Sequence, residues 1–243
     1  MERNFLTDLF KYVVGLSKPD VVEIDGLPYS DRPELNRIKP PVATGLTVST
    51  LTAVIDYIKA NIDNITGAGT KIFIHIKDFN VVKIYGYLDS QHKVRDCYLG
   101  AVYSGDNVDL SEWQPTDKFI PQLQSLFMDG GDKENLLKVL GNLSSDATIS
   151  FMDDGVTTET QAKVGIDRRA DVTLPATVTL TPFSTFPEIE QPQRKYTFRL
   201  QRSNEKIMAR IIPADGETWK NAAMKSIYDY IKEQAPACES ILY

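Results

Sequence analysis

The sequence predicts an α+β protein: a mainly antiparallel sheet, made of a meander and C-terminal hairpins, with helices packed on it and a helical arm at the N-terminus. Three observations carry this. Apolar residues recur at helical spacing in some segments and alternate with period two in others. The period-two segments follow one another across short turns, as antiparallel strands do. The 243 residues are 42% hydrophobic and 25% charged, a globular profile with enough apolar material to form a core.

The elements follow in order. Phe5, Leu9, Tyr12, Val13 and Leu16 sit at helical spacing, and Lys18-Pro19 ends that helix. Val21–Ile24 reads as a short strand closed by Asp25-Gly26. Pro28, Pro33, Pro40 and Pro41 make the following stretch an extended connector. Residues 1–41 are therefore an N-terminal helix and proline-rich arm, and residues 42–243 a single α+β body. Such a short helix is marginal alone and must dock on something, which makes the arm the part best placed to exchange between subunits.

In the body, a helix from about Thr50 to Asn61 carries the stripe Leu51, Val54, Ile55, Ile58 and Ile62. Thr47 or Ser49 is its cap, and Gly67 and Gly69 terminate it. Residues 71–77, 81–88 and 95–103 form the meander. A helix capped by Thr116 bears Phe119, Ile120, Leu123, Leu126 and Phe127. One capped by Asp132 bears Leu136, Leu137 and Leu140 and ends at Gly141. Strands follow at 148–151, 160–166 and 177–181, then a hairpin of 196–201 with 206–212. A last helix begins near Asp215, with Trp219, Ala223, Ile227, Tyr230 and Ile231 inward, and Ser240–Tyr243 is a final edge strand.

The net charge of −6 opposes a global fit to nucleic-acid phosphate, though local basic patches stay open. Cys97 and Cys238 are far apart and form no paired motif, as in a reducing compartment. No signal peptide and no run of ~20 apolar residues is present, so the expectation is a cytoplasmic protein with no membrane partner.

Catalytic motifs are missing site by site. Thr66–Lys71 has the order Gly-Thr-Lys between a helix and a strand, where a phosphate loop needs Gly-Lys-Ser/Thr between a strand and a helix. His75 and His92 belong to no triad and no metal-ligand spacing. Asp153-Asp154-Gly155 reads as turn chemistry rather than a metal pair. The sequence points to no catalytic residue, no metal and no cofactor.

Basic residues give the better lead. Lys195 and Arg199 share one strand face with Thr197 and Gln201, and Lys206 and Arg210 share the facing one with Met208. Lys163, Arg168 and Arg169 form a second group. Clustered cations hold phosphate through charge-assisted bonds, and arginine does so bidentately. The alternative is a solvated strand face with Asp167, Asp171 and Glu205 as ion partners. Tyr98, Tyr103 and Trp113 are candidates to line a pocket or stack a base, or to pack in the core.

An extended pattern runs from Leu46 onward: LTAVIDYIKANID, FIHIKDFNVVKIYG, YSGDNVDLSEWQPTDKFIPQLQSLF, VTLTPFSTFPEIEQPQRKYTFRLQ, PADGETWKNAAMKSIYDYI and the terminal ILY. Over about residues 42–243 it resembles the YfdQ-like family of phage and prophage proteins. That resemblance implies an early, non-virion phage protein made inside a bacterium, and it brings no active site with it. The expectation is a non-enzymatic counter-defence protein, a homo-oligomer that sequesters a host defence factor or a nucleotide immune signal. The alternatives are a recombination or replication accessory that binds single-stranded DNA, and a virion or assembly protein.

Overall fold

The computed structural model describes residues 2–17, 21–30, 36–37, 41–65, 71–91, 93–105, 108–143, 148–153, 158–163, 171–174, 177–203, 206–236, 238 and 240–243; of residues 2–4, 17, 36–37, 148–153, 158–163 and 171–174 it describes the backbone only. The fold is α+β, with helices packed on antiparallel and mixed sheets. It divides into two units, Met1–Ala43 with Leu88–Asp96, and Thr44–Tyr87 with Cys97–Tyr243.

The first unit contains α1 (Glu2–Ser17), β1 (Val21–Ile24), β2 (Leu27–Ser30) and β3 (Asn36–Arg37). The connector expected after Leu27 is instead a strand: β1, β2 and β3 pair in that order. The reason is local. Asp25 and Gly26 both take positive φ, 52° and 74°, the two-residue turn whose twist suits a hairpin. In the same unit, Asp96 accepts the Ala43 amide at 2.7 Å.

The second unit runs β4 (Leu46–Val48), α2 (Leu51–Ala60), β5 (Ile72–Asp78), β6 (Val81–Gly86), β7 (Cys97–Val102), β8 (Gln114–Pro115), α3 (Thr116–Leu126), α4 (Lys133–Asn142), β9 (Thr148–Asp153), β10 (Thr158–Lys163), β11 (Asp171–Leu174), β12 (Thr177–Leu180), β13 (Arg194–Ser203), β14 (Lys206–Pro213), α5 (Trp219–Gln234) and β15 (Ile241–Leu242). The first sheet has the order β15-β5-β6-β7-β4, the second β12-β13-β14-β8, and β11-β10-β9 form a third. The expected meander is the centre of the first sheet. Its two edges, β4 and β15, pair in parallel.

Several boundaries differ from expectation. Thr47 lies in β4, and Thr50 caps α2 by accepting the Ala53 amide at 3.2 Å. Asn61, left-handed at φ 48°, ends that helix before the glycines, which lie outside the described residues. Ile62 therefore leaves the apolar stripe and is exposed, while Tyr57 is buried in the helix face. Thr116 is the first residue of α3 rather than its cap. Asp132 precedes α4 but spends its carboxylate on β12, accepting the Thr179 amide at 2.7 Å. Gly131 beside it sits at φ 58°, and a Cβ there would lie 2.8 Å from the Thr179 carbonyl, so no other residue fits.

Two cores result. Leu51, Val54, Ile55 and Ile58 of α2 pack with Ile74, Ile76, Val82, Ile84 and Leu99 of the first sheet and with Ile227 and Ile231 of α5. Phe119 and Leu123 of α3, with Leu136 and Leu140 of α4, pack on Phe198, Leu200 and Ile211 of the second sheet. A buried cation ties α3 to α4. Lys133, 4% exposed, donates to the Gln124 and Phe127 carbonyls at the end of α3, at 3.0 and 2.5 Å, and to Asp129 at 2.8 Å. It satisfies carbonyls that a helix terminus leaves open. Lys133→Met keeps the volume but removes the donor those acceptors share, and a loss of about 2–3 kcal/mol in urea unfolding is expected.

Residues 181–193 join the sheets, and Gln191 organises them. This buried side chain accepts from the Ser184 and Thr185 amides at 2.9 and 3.1 Å and donates to the carbonyls of Thr185, Phe186 and Ile189 at 3.3, 2.9 and 3.3 Å. Phe79, in the β5–β6 turn, receives both sides of the molecule's second unit. Its carbonyl accepts the Thr185 hydroxyl at 2.5 Å, and its ring meets Trp219 edge-on at 4.7 Å.

Candidate anion-binding face

Alternation along β13 and β14 splits the second sheet into two faces. Tyr196, Phe198 and Leu200 point into the core with Ile207, Ala209 and Ile211. The outer face then gathers Lys195, Thr197, Arg199 and Gln201 with Lys206, Met208, Arg210 and Ile212. Register sharpens this: Arg199 stands directly opposite Arg210, and Thr179 of β12 stands opposite Lys195. Directly opposed side chains have Cβ atoms about 5 Å apart, and like charges placed so repel. Lys195 lies four residues from Arg199, about 13 Å along the strand.

Arg210 is held in an unusual state. Its guanidinium lies over the Trp113 ring, 4.3 Å from the centroid. Its Nε is buried and has no hydrogen-bond partner, and it makes no ion pair with a carboxylate among the described residues. Arg199 donates to its neighbour's carbonyl, Phe198 O, at 3.2 Å. The buried, unsatisfied Nε of Arg210 is a deficit that an acceptor would fill.

Arg194, at the start of β13, is spent differently. It makes a two-bond pair with Asp215, at 2.7 and 3.2 Å, and its guanidinium lies over Tyr196 and Trp219 at 5.3 and 4.7 Å. The hydrogen bond from Arg194 holds the Asp215 carboxyl below the usual range against the opposing effect of burial. Burial pushes the Tyr196 hydroxyl up to about 12, so it stays protonated. A cavity of about 490 Å³ beside this pair is lined by Gln193, Lys195, Asp215, Thr218 and Trp219, among others, and shares Lys195 with the cationic face.

The predicted residues divide. Arg199, Arg210 and Trp113 come together at the second sheet, and Lys195 lies farther along β13 on the same face. Tyr98 and Tyr103 do not join Trp113: both pack against the first core, and Tyr103 meets Phe186 at 6.0 Å. Lys163 lies in β10 with only its backbone described, and Arg168 and Arg169 lie outside the described residues. His75 faces away from the first core with Lys71, Phe73 and Lys77, as its alternation implies; His92, Asp154 and the Thr66–Thr70 loop also lie outside the described residues.

Sequence reasoning missed an aromatic cluster on the outer face of the first sheet. Phe73 stacks on Tyr85 at 5.6 Å, Tyr87 meets Phe73 at 6.1 Å, and His75 lies 6.3 Å from Tyr85. The signal was present in the register, since Phe73 pairs with Tyr85 and His75 with Lys83. Among the described residues no group of three or more His, Cys, Asp or Glu could hold a metal ion, and no helix is long and apolar enough to cross a membrane. No family model, curated protein or solved structure matches the chain.

Proposed function

We propose that the chain is a non-enzymatic binding protein that sequesters a nucleotide or a similar phosphate-bearing signal on the outer face of the second sheet. The observation that carries this reading is Arg210: opposite Arg199, stacked on Trp113, with its buried Nε unsatisfied. A phosphate held by Arg210 supplies the absent acceptor, and Arg199 across the register adds a second cation to the same face. Lys195 and the adjoining cavity give the rest of an extended ligand somewhere to lie. The resemblance to the YfdQ-like phage family supplies the setting, counter-defence in the cytoplasm of a bacterial host, where the captured ligand is an immune signal.

The test is thermal shift with a panel of cyclic and ADP-ribose-type nucleotides, paired with native mass spectrometry from a bacterial lysate. A ligand that binds only the folded chain raises its melting temperature by mass action. Arg199→Ala and Arg210→Ala should each weaken binding about tenfold to a hundredfold, the worth of one or two charge-assisted hydrogen bonds. Ligand contact with Trp113 should also alter its fluorescence, which Trp113→Phe separates from that of Trp219. If every nucleotide leaves the melting temperature unchanged and no small molecule is retained, the reading fails.

A second reading has one observation in its favour. The Phe73, Tyr85 and Tyr87 cluster with Lys83 beside it suits base stacking by single-stranded nucleic acid. It predicts gel shifts that weaken steeply between two salt concentrations, and the charge of −6 weighs against it.

A further inference from the structure

The described residues of the first unit have regular structure and form no core. Among its described residues none is buried. Phe5, Leu6, Leu9, Phe10, Tyr12 and Val13 of α1 are between 45% and 71% exposed. A helix this short is marginal in water on its own, and one with so much apolar surface is normally covered.

The pattern of those six residues says what covers them. Phe5, Leu9 and Tyr12 are spaced four and three apart, and so are Leu6, Phe10 and Val13. Each set repeats the spacing by which one helix seats its side chains between those of another. At about 100° per residue the two seams lie side by side and span an arc of about 160°. One facing helix covers roughly 100°, so two seams call for two neighbours. The opposite arc carries Arg3, Thr7, Asp8, Lys11 and Val14 and sums to a single positive charge, and with Glu2 the helix as a whole is neutral, whereas a helix made for an anionic membrane surface concentrates many Lys and Arg on its polar face. The six side chains expose about 800 Å² of surface at ordinary residue areas, the amount each partner contributes to a stable interface.

We propose that α1 is an assembly helix whose partner is the same helix of further copies of this chain, packed through two seams into a bundle of three or more. The arrangement buries the apolar arc of every copy and leaves Asp8 and Lys11 at the rim.

Light scattering on the full chain during size-exclusion chromatography tests this. The wild-type mass should be that of a trimer or larger. Leu9→Glu in one seam and Phe10→Glu in the other should each reduce it, while Lys11→Glu on the polar arc should not. Both tryptophans lie in the second unit, so an unchanged tryptophan-monitored melt shows that a variant's body remains folded. Should a variant prove insoluble, dilution of the wild-type chain gives the same answer: mass and helical circular dichroism should fall together. A monomeric or dimeric wild-type chain, an oligomer that survives both seam substitutions, or a monomer that floats with phosphatidylcholine vesicles overturns the assignment.

Discussion

Replacing Asp215 by alanine should lower stability by about 3–5 kcal/mol, the usual result of leaving one member of a buried ion pair without the other. Arg194 and Asp215 are 14% and 10% exposed in their side chains, so water compensates little. The loss should exceed that from Lys225→Ala, whose pair with Asp229 is exposed on both sides. The pair also gives acid sensitivity a predictable sign. Asp215 titrates lower in the folded chain than in the unfolded one. Its contribution is thus complete above about pH 4, the unfolded carboxylate value, and is lost as pH falls through the lower folded value. Urea midpoints measured across that range should decline less steeply in Asp215→Asn than in the wild type. Equal slopes would remove Asp215 from the acid response.

Gln191→Leu should cost about 3 kcal/mol or more despite its apolar gain. Two amides and the Thr185 and Ile189 carbonyls lose this partner together, while the Phe186 carbonyl keeps the Ile189 amide, and each buried group left unsatisfied costs about 1–3 kcal/mol before any water reaches it. Gln191→Glu distinguishes shape from hydrogen bonding. It retains acceptors for Ser184 and Thr185 but offers no amide donors to the three carbonyls, and it brings a charge into a buried site. It should be at least as unstable as the leucine variant at neutral pH. Urea unfolding followed by fluorescence decides this, and a glutamate variant as stable as wild type would show that the carbonyls find water.

What the sequence made legible follows from periodicity. Alternation placed Tyr196, Phe198 and Leu200 inward and Lys195 and Arg199 outward, because one face of the second sheet packs on helices and the other does not. The helical stripe of α2 was legible for the same reason, apart from its end. There Asn61 took the left-handed conformation that glycine was expected to supply. Edge strands β4 and β15 are three and two residues long, too short for alternation to register. β15 was read as an edge strand but its parallel pairing was not, since direction belongs to the partner. The Arg194–Asp215 pair spans 21 residues and depends on how β13 and the turn before α5 meet. Asp215 was visible only as a helix-start residue. The union of Arg210 with Trp113 joins segments far apart in the chain, and the separation of Tyr98 and Tyr103 from Trp113 reflects which core each strand enters.

The position of Phe79 bears on how the second unit comes apart. The β5–β6–β7 meander and the β13–β14 hairpin each close over short sequence separations and can form early. The bonds at Phe79 link residues 106 apart through Thr185, and 140 positions separate the ring from Trp219 in the chain numbering. Loop-closure entropy must be met before contacts of that span reward it, so they are expected to form late in folding. Weakening them with Thr185→Val or Phe79→Leu would leave the refolding rate almost unaltered and quicken unfolding. A turn at Phe79 that behaves in this way is a latch on the lifetime of the native state, and unfolding rates from a urea chevron measure it.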